Sequence, residues 1–193
     1  MARTKEFDPD IVLQRALELF WERGYEATSM SDLVEHLGIA KASIYATFGS
    51  KQDFYAKALQ RYLDTTDPKI MTELSQPGPV LPAVRALVHR YVTEASHDQQ
   101  HRGCMVVNSA VELAARDGGV ARLVEASWAF LETTLAAALT RAQAQGELPE
   151  NAEPRELARF LLVFFQGVRV LGRAPNNAAR LQDAARVAVS VLG

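Results

Sequence analysis

In a chain of 193 residues, 21 lysines and arginines face 23 aspartates and glutamates, and 48% of positions are hydrophobic; this excludes a uniformly basic nucleic-acid-coating protein and a charged disordered one. A single cysteine excludes an internal disulfide framework and fits a reducing compartment. The most apolar run, Leu161–Phe165 between Arg159 and Arg169, is far too short to span a membrane, and no apolar secretory core is visible, so we expect a cytoplasmic protein.

The first element is a helix. Asp8-Pro9 supplies an N-cap followed by proline at the first helical position, and Val12, Ala16, Leu19 and Phe20 keep helical spacing up to a stop at Gly24. The residues before it, Met1-Ala2 with Arg3 and Lys5, form a short basic arm that either reaches toward an anionic partner or frays. Leu33, Val34 and Leu37 then predict a short helix from about Ser31, ended by a left-handed Gly38. A second short helix begins after Ile39. Ile44 and Phe48 turn inward with Ile39, leaving Lys41, Ala42, Ser43, Tyr45 and Thr47 outward. Two short helices joined by a glycine turn make a helix-turn-helix, and an outward face with a cation, hydroxyls and a tyrosine suits a DNA groove.

Ser50-Lys51-Gln52-Asp53 is a capping box that opens the next helix. Lys51 is out of place there, because a cation in a first turn opposes the helix dipole by about 0.3–1 kcal/mol unless an anion lies nearby. A DNA phosphate would supply that anion; a solvated lysine is the plainer reading. Phe54, Ala58, Leu59 and Tyr62 carry this connecting helix to about Leu63. Prolines and glycine at Pro68, Pro77, Gly78, Pro79 and Pro82 mark Thr65–Pro82 as the clearest boundary, with room for one turn around Ile70–Leu74.

Beyond it the spacing predicts helices over about Pro82–Ser96, Cys104–Arg116, Val120–Gln145, Pro154–Leu171 and Asn177–Leu192, with no competing strand alternation. Leu161, Val163, Phe164 and Val168 leave the penultimate helix almost without a polar face, so it must bury more than one side. With the small residues Ala184, Ala185 and Ala188 of the last helix, it can supply half of a four-helix homodimer interface, Phe164 or Val168 meeting the partner. Cys104, beside His101 and Arg102 at a helix start, is either a buried structural thiol or a reactive one. Asn108, Trp128 and Phe165 are candidate pocket residues, or plain core and helix ties. His36, His89, His97 and His101 show no metal spacing, and no nucleophile motif or phosphate loop occurs, so we expect no catalytic residues, metal or cofactor.

Gly24-Tyr25, Thr28, Leu33, Gly38-Ile39, Lys41, Tyr45, Phe48 and Ser50-Lys51 together resemble the DNA-binding domain of TetR/AcrR-type transcriptional regulators, closely over residues 8–55 and by architecture beyond. The resemblance implies an all-α protein with a three-helix helix-turn-helix domain at 1–52 and a helical ligand-binding and dimerisation domain at 53–193. It implies double-stranded operator DNA and a small-molecule effector as partners, with repression relieved when the connecting helix moves. By position it makes Lys41, Ala42 and Ser43 base-reading candidates, and Tyr45, Thr47 and Lys51 phosphate contacts. Thr47 and Ala42 depart from the usual residues at their positions. A thiol-sensing regulator using Cys104, and a helical interaction module that ignores DNA, are the competing expectations.

Overall fold

The computed structural model describes residues 7–98 and 100–193; Arg3 and Lys5 of the expected arm lie outside the described residues. Among the described residues there are nine helices and no strand. Helix α1 (Pro9–Arg23) starts as its sequence predicts: the Asp8 carboxylate accepts from the Asp10 amide at 2.8 Å, and Gly24 ends it at a positive φ of 86°. Helix α2 (Met30–Leu37) begins slightly before the expected Ser31, because Ser29 and Asp32 form a reciprocal capping box that the apolar spacing alone did not reveal. Gly38 then takes the left-handed conformation, and α3 (Lys41–Phe48) follows.

Helix α4 (Lys51–Leu74) corrects the largest expectation. It runs without interruption through the segment read as a boundary, and Pro68 lies inside it. An interior proline costs about 3 kcal/mol through a lost amide and a crowded carbonyl. Ile70 and Leu74 lie about half a turn and nearly two turns further on and are both buried, each removal from water being worth about 1.5–3 kcal/mol. Continuing the helix is therefore at least as favourable as stopping it.

The C-terminal helices are α5 (Leu81–His97), α6 (Met105–Glu112), α7 (Gly118–Ala144), α8 (Pro154–Leu171) and α9 (Ala178–Ser190). Helix α6 is shorter than expected, since residues 113–116 turn so that the Asp117 carboxylate can cap α7 through the Gly119 and Val120 amides. Capping also moves the start of α7 upstream of Val120.

Two apolar cores result. The first joins α1–α3 and the front of α4, through Leu63, with Met105 and Val106 of α6 and Val120 and Val124 of α7. Phe20, Phe54 and Tyr55 are its centre: Phe20 meets both other rings edge-on, at 6.1 and 5.0 Å. The second gathers Ile70 and Leu74 of α4 with α5, the rear of α7, α8 and α9. Helices α4 and α7 thus pass through both cores.

Helix α8 spends its apolar residues in two directions. Leu161, Phe165 and Val168 enter the second core, whereas Phe160, Val163 and Val170 face outward, Val163 being 71% exposed. Val168 therefore does not face a partner, contrary to the expectation; the helical register places it with Leu161 and Phe165. On α9, Leu181, Ala185 and Ala188 are buried while Val187 remains exposed.

The first core is clasped to α6 by polar contacts. Glu112 accepts from the Tyr25 amide at 2.8 Å, the Tyr55 hydroxyl and Ser109 Oγ lie 2.9 Å apart, and the Trp21 indole donates to the Gly103 carbonyl at 2.9 Å. Gly24 is required here twice over: its φ of 86° disfavours a side chain, and a Cβ would collide with the Glu112 carboxylate. Gly24→Ala should therefore lower stability by about 1–3 kcal/mol, read as a reduced urea midpoint at unchanged helical content.

Candidate nucleic-acid interface

Leu33 of α2 and Ile44 and Phe48 of α3 are buried against α1 and α4, which fixes the angle between the two short helices. Arg15 of α1 donates to the Leu37 and His36 carbonyls and so closes the end of α2. Lys57 of α4 does the same for α3, its Nζ lying 2.8 Å from the Phe48 carbonyl. With both ends held, the outer face of α3 is rigidly presented. Lys41, Ala42 and Tyr45 are exposed there, and Ser43 and Thr47 are half-buried. Lys41 Nζ stands 6.0 Å from the centroid of the Tyr45 ring one turn on. The first turn of α3 has no side-chain cap, since Ala40 occupies that position.

Lys51 has a partner that its sequence position did not suggest. Its Nζ lies 4.1 Å from the centroid of Tyr25, in the loop after α1. An exposed cation–π contact is worth about 0.5–1 kcal/mol, enough to offset the dipole penalty, so the placement of Lys51 no longer requires an external anion. The ammonium is nevertheless held in place at the start of α4, only half-buried.

The starts of α2 and α4 are built alike. Ser29 caps Asp32, and Ser50 caps Asp53, each pair reciprocal. Hydrogen bonds from Ser29 foremost hold the Asp32 carboxyl below its ordinary range, with Arg23 and Lys51 contributing. The influence of Lys51 on Asp32 makes the two helix starts neighbours. The Ser-x-x-Asp repetition at 29–32 and 50–53 shows the shared construction of the two starts in the sequence itself.

A cavity of about 390 Å³ opens at the junction of α1, α4, α5 and α8, bordered by Trp21, Tyr62, Lys69, Arg90, Tyr91 and Arg169. A narrower recess of about 40 Å³ shares Tyr62, Tyr91 and Arg169 with it and reaches Cys104 and Trp128. Of the four candidate pocket residues, these two reach the recess. Asn108 does not: its amide donates to the Arg102 carbonyl at 3.0 Å and its oxygen accepts from Arg173 at 2.8 Å, tying α6 to the end of α8. Phe165 is fully buried and stacks on Tyr91 at 4.1 Å.

The Tyr62 hydroxyl donates to Cys104 Sγ at 3.7 Å, and burial, followed by the neighbouring thiol, pushes the Tyr62 pKa well above 10.0. Arg102, expected beside the thiol, lays its guanidinium over Trp21 at 4.3 Å. Among the described residues no group of histidine, cysteine and carboxylate side chains is arranged to hold a metal, and no helix is long and apolar enough to cross a membrane.

Residues 12–58 match the sequence profile of bacterial regulatory proteins of the tetR family, and residues 80–188 match the tetracyclin repressor-like C-terminal domain. The chain is 38% identical over 193 residues, all of both chains, to an uncharacterized HTH-type transcriptional regulator, YezE, of Bacillus subtilis. It is 32% identical to the HTH-type transcriptional repressor ComR of Escherichia coli, over 95% of this chain and 88% of that one. Among solved structures, a cysteine-substituted form of the regulator CifR bound to a 26-bp double-strand operator superposes with a TM-score of 0.85 at 28% identity, covering 98% of each chain.

The helix starts carry a testable acid dependence. Hydrogen bonds from Ser50 hold the Asp53 carboxyl below its ordinary 3.8, so its capping contribution is complete above that value and is lost as pH falls through the lowered one. In a carboxyl-carbon NMR titration Asp53 should titrate below 3.8, and Ser50→Ala should move its midpoint upward.

Proposed function

The chain belongs to the TetR family of bacterial transcriptional regulators, and on that premise we propose that it is a cytoplasmic homodimeric repressor released from operator DNA by a small molecule, with no catalytic activity. The observation that carries this reading is helix α4: it begins at the capped turn beside the exposed face of α3, borders the junction cavity through Tyr62, and ends in the second core. The repressor named ComR and the operator-bound CifR are relatives whose behaviour supports it. We keep the functional division at 1–52 for DNA reading and 53–193 for dimerisation and ligand response, with α4 as the element common to both.

In this reading α3 enters the major groove. Lys41, Ala42 and Ser43 read base edges; Tyr45, Thr47 and Lys51 hold phosphates, joined by the first-turn amides of α2 and α4 that the Ser29 and Ser50 side chains leave free. The ammonium of Lys51 leaves one face of its cation to the phosphate while Tyr25 holds the other. The outward row of Phe160, Val163, Val170 and Val187 on α8 and α9 meets the same row of a second copy, giving the two recognition helices the spacing of successive major grooves. A ligand that favours another spacing weakens DNA binding by linkage.

A thiol-sensing form of the same regulator is favoured by one observation: Cys104 meets the Tyr62 hydroxyl in the narrow recess beside the cavity, where a modified sulfur would press directly on α4. Alkylation of Cys104 that displaces operator DNA, abolished by Cys104→Ser, would support it; complete alkylation with unchanged DNA binding would exclude it.

Two measurements test the main reading. Lys51→Ala should weaken binding on all sequences alike and reduce the slope of log K against log salt by about one, as for one lost phosphate contact, whereas Lys41→Ala should blunt sequence preference. An unchanged slope in a folded Lys51→Ala protein removes the phosphate assignment. Val163→Asp places a charge in the proposed interface and should yield a folded monomer by sedimentation, with operator affinity reduced at least tenfold; a dimer that persists contradicts the α8 interface.

A further inference from the structure

The junction cavity has walls of a definite chemistry. Trp21 of α1 and Tyr62 of α4 meet edge-on with ring centroids 5.1 Å apart, and Tyr91 of α5 adds a third ring. Three cations border the same space. Arg169 covers the Tyr91 ring at 4.5 Å and donates to Glu94 at 2.7 Å; Arg90 donates to Glu73 at 2.9 Å; Lys69 forms no ion pair among the described residues. Of the two carboxylates engaged, only that of Glu94 borders the cavity.

We propose that this cavity binds a small planar anion, an aryl carboxylate, with its ring against Trp21 and Tyr62 and its carboxylate toward Arg90 and Lys69. The site is at the small end of the range of about 300–1,000 Å³ typical of small-molecule pockets, which suits one or two fused rings. An excess of cations selects a carboxylate over an amine, and over an uncharged amide whose nitrogen end brings further donors. The aromatic walls select a flat body over a branched aliphatic one. Such a ligand touches α1 and α5 directly, so it acts between the DNA-reading helices and the second core without a relay through the protein interior. This inference rests on the effector-controlled reading above for its consequence, but not for the binding itself.

The test is isothermal titration of the full-length protein with 2-naphthoate, 2-naphthamide and 2-naphthylmethylamine, followed by operator binding in the presence of each. We expect 2-naphthoate to bind, the amide to bind at least tenfold more weakly, and the amine not to bind. Arg90→Met should reduce naphthoate affinity at least tenfold, and Trp21→Phe should reduce it by a smaller factor in a folded protein whose melting temperature is lowered by the lost bond to Gly103. Equal affinity for acid and amide, unchanged affinity in Arg90→Met, or no binding of 2-naphthoate at millimolar concentration overturns the proposal. Should Arg90→Met fail to fold, Lys69→Ala on the exposed side provides the same comparison with an expected loss of several-fold, and no loss there counts against it. Naphthoate binding without operator release would leave this site standing and remove effector control through it, whereas operator release by another compound with no naphthoate binding would do the reverse.

Discussion

Helix α4, like α7, belongs to two hydrophobic cores, and the placement of the helix-turn-helix is organised around that fact. The front of α4, from Phe54 to Leu63, completes the core of the helix-turn-helix, and its rear, Ile70 and Leu74, lies in the core of α5, α8 and α9. Because its turns are hydrogen-bonded in series, a displacement at the rear cannot be absorbed locally without breaking helix. Pro68 removes one of those bonds close to the change-over between cores, just beyond Thr65 and Thr66, which both donate to the Tyr62 carbonyl. This gap in the hydrogen-bond ladder lies beside the junction cavity, bordered by Tyr62, Thr66 and Ile70.

The second support is the clasp between the first core and α6. Glu112 on the Tyr25 amide, Tyr55 with Ser109 and Trp21 on Gly103 are contacts between the first core and either α6 or the residues just before it, where Cys104 is the cap. Tyr25 joins this clasp to the nucleic-acid face, since its amide is held by Glu112 while its ring receives Lys51. Movement of α6 would thus be felt at the start of α4 as well as along its length. Two-point attachment of this kind makes the orientation of α3 a property of the whole chain.

Much of this was legible in the residues. Capping chemistry and glycine stops are local, so α1, the turn at Gly38 and the box at Ser50 could be read directly, and the family likeness followed from them. What could not be read depended on distant partners. The continuation of α4 past Pro68 is decided by burial of Ile70 and Leu74, which local propensity cannot weigh. Lys51 looked unpaired because Tyr25 lies 26 positions away in sequence and meets it only once the helices have packed. On α8 the composition announced two buried sides, but only the fold separates Val168, inside, from Val163, outside. Asn108 and Phe165 looked like pocket residues for the same reason: polar or aromatic character marks a contact without saying whether its partner is ligand or protein.

The central claim is that α4, as one continuous rod, sets the separation of the two α3 helices in the proposed dimer. Electron–electron spin resonance between labels at Ala46→Cys, in a Cys104→Ser background, measures that separation directly. On operator DNA the account expects a narrow distribution consistent with recognition helices about 34–36 Å apart. With α4 interrupted by Thr65→Gly and Thr66→Gly, each core still folded, it expects a broad distribution in the free protein and weaker operator binding. A distribution equally narrow in the interrupted protein would contradict the account, because the reading helices would then be positioned by something other than this rod.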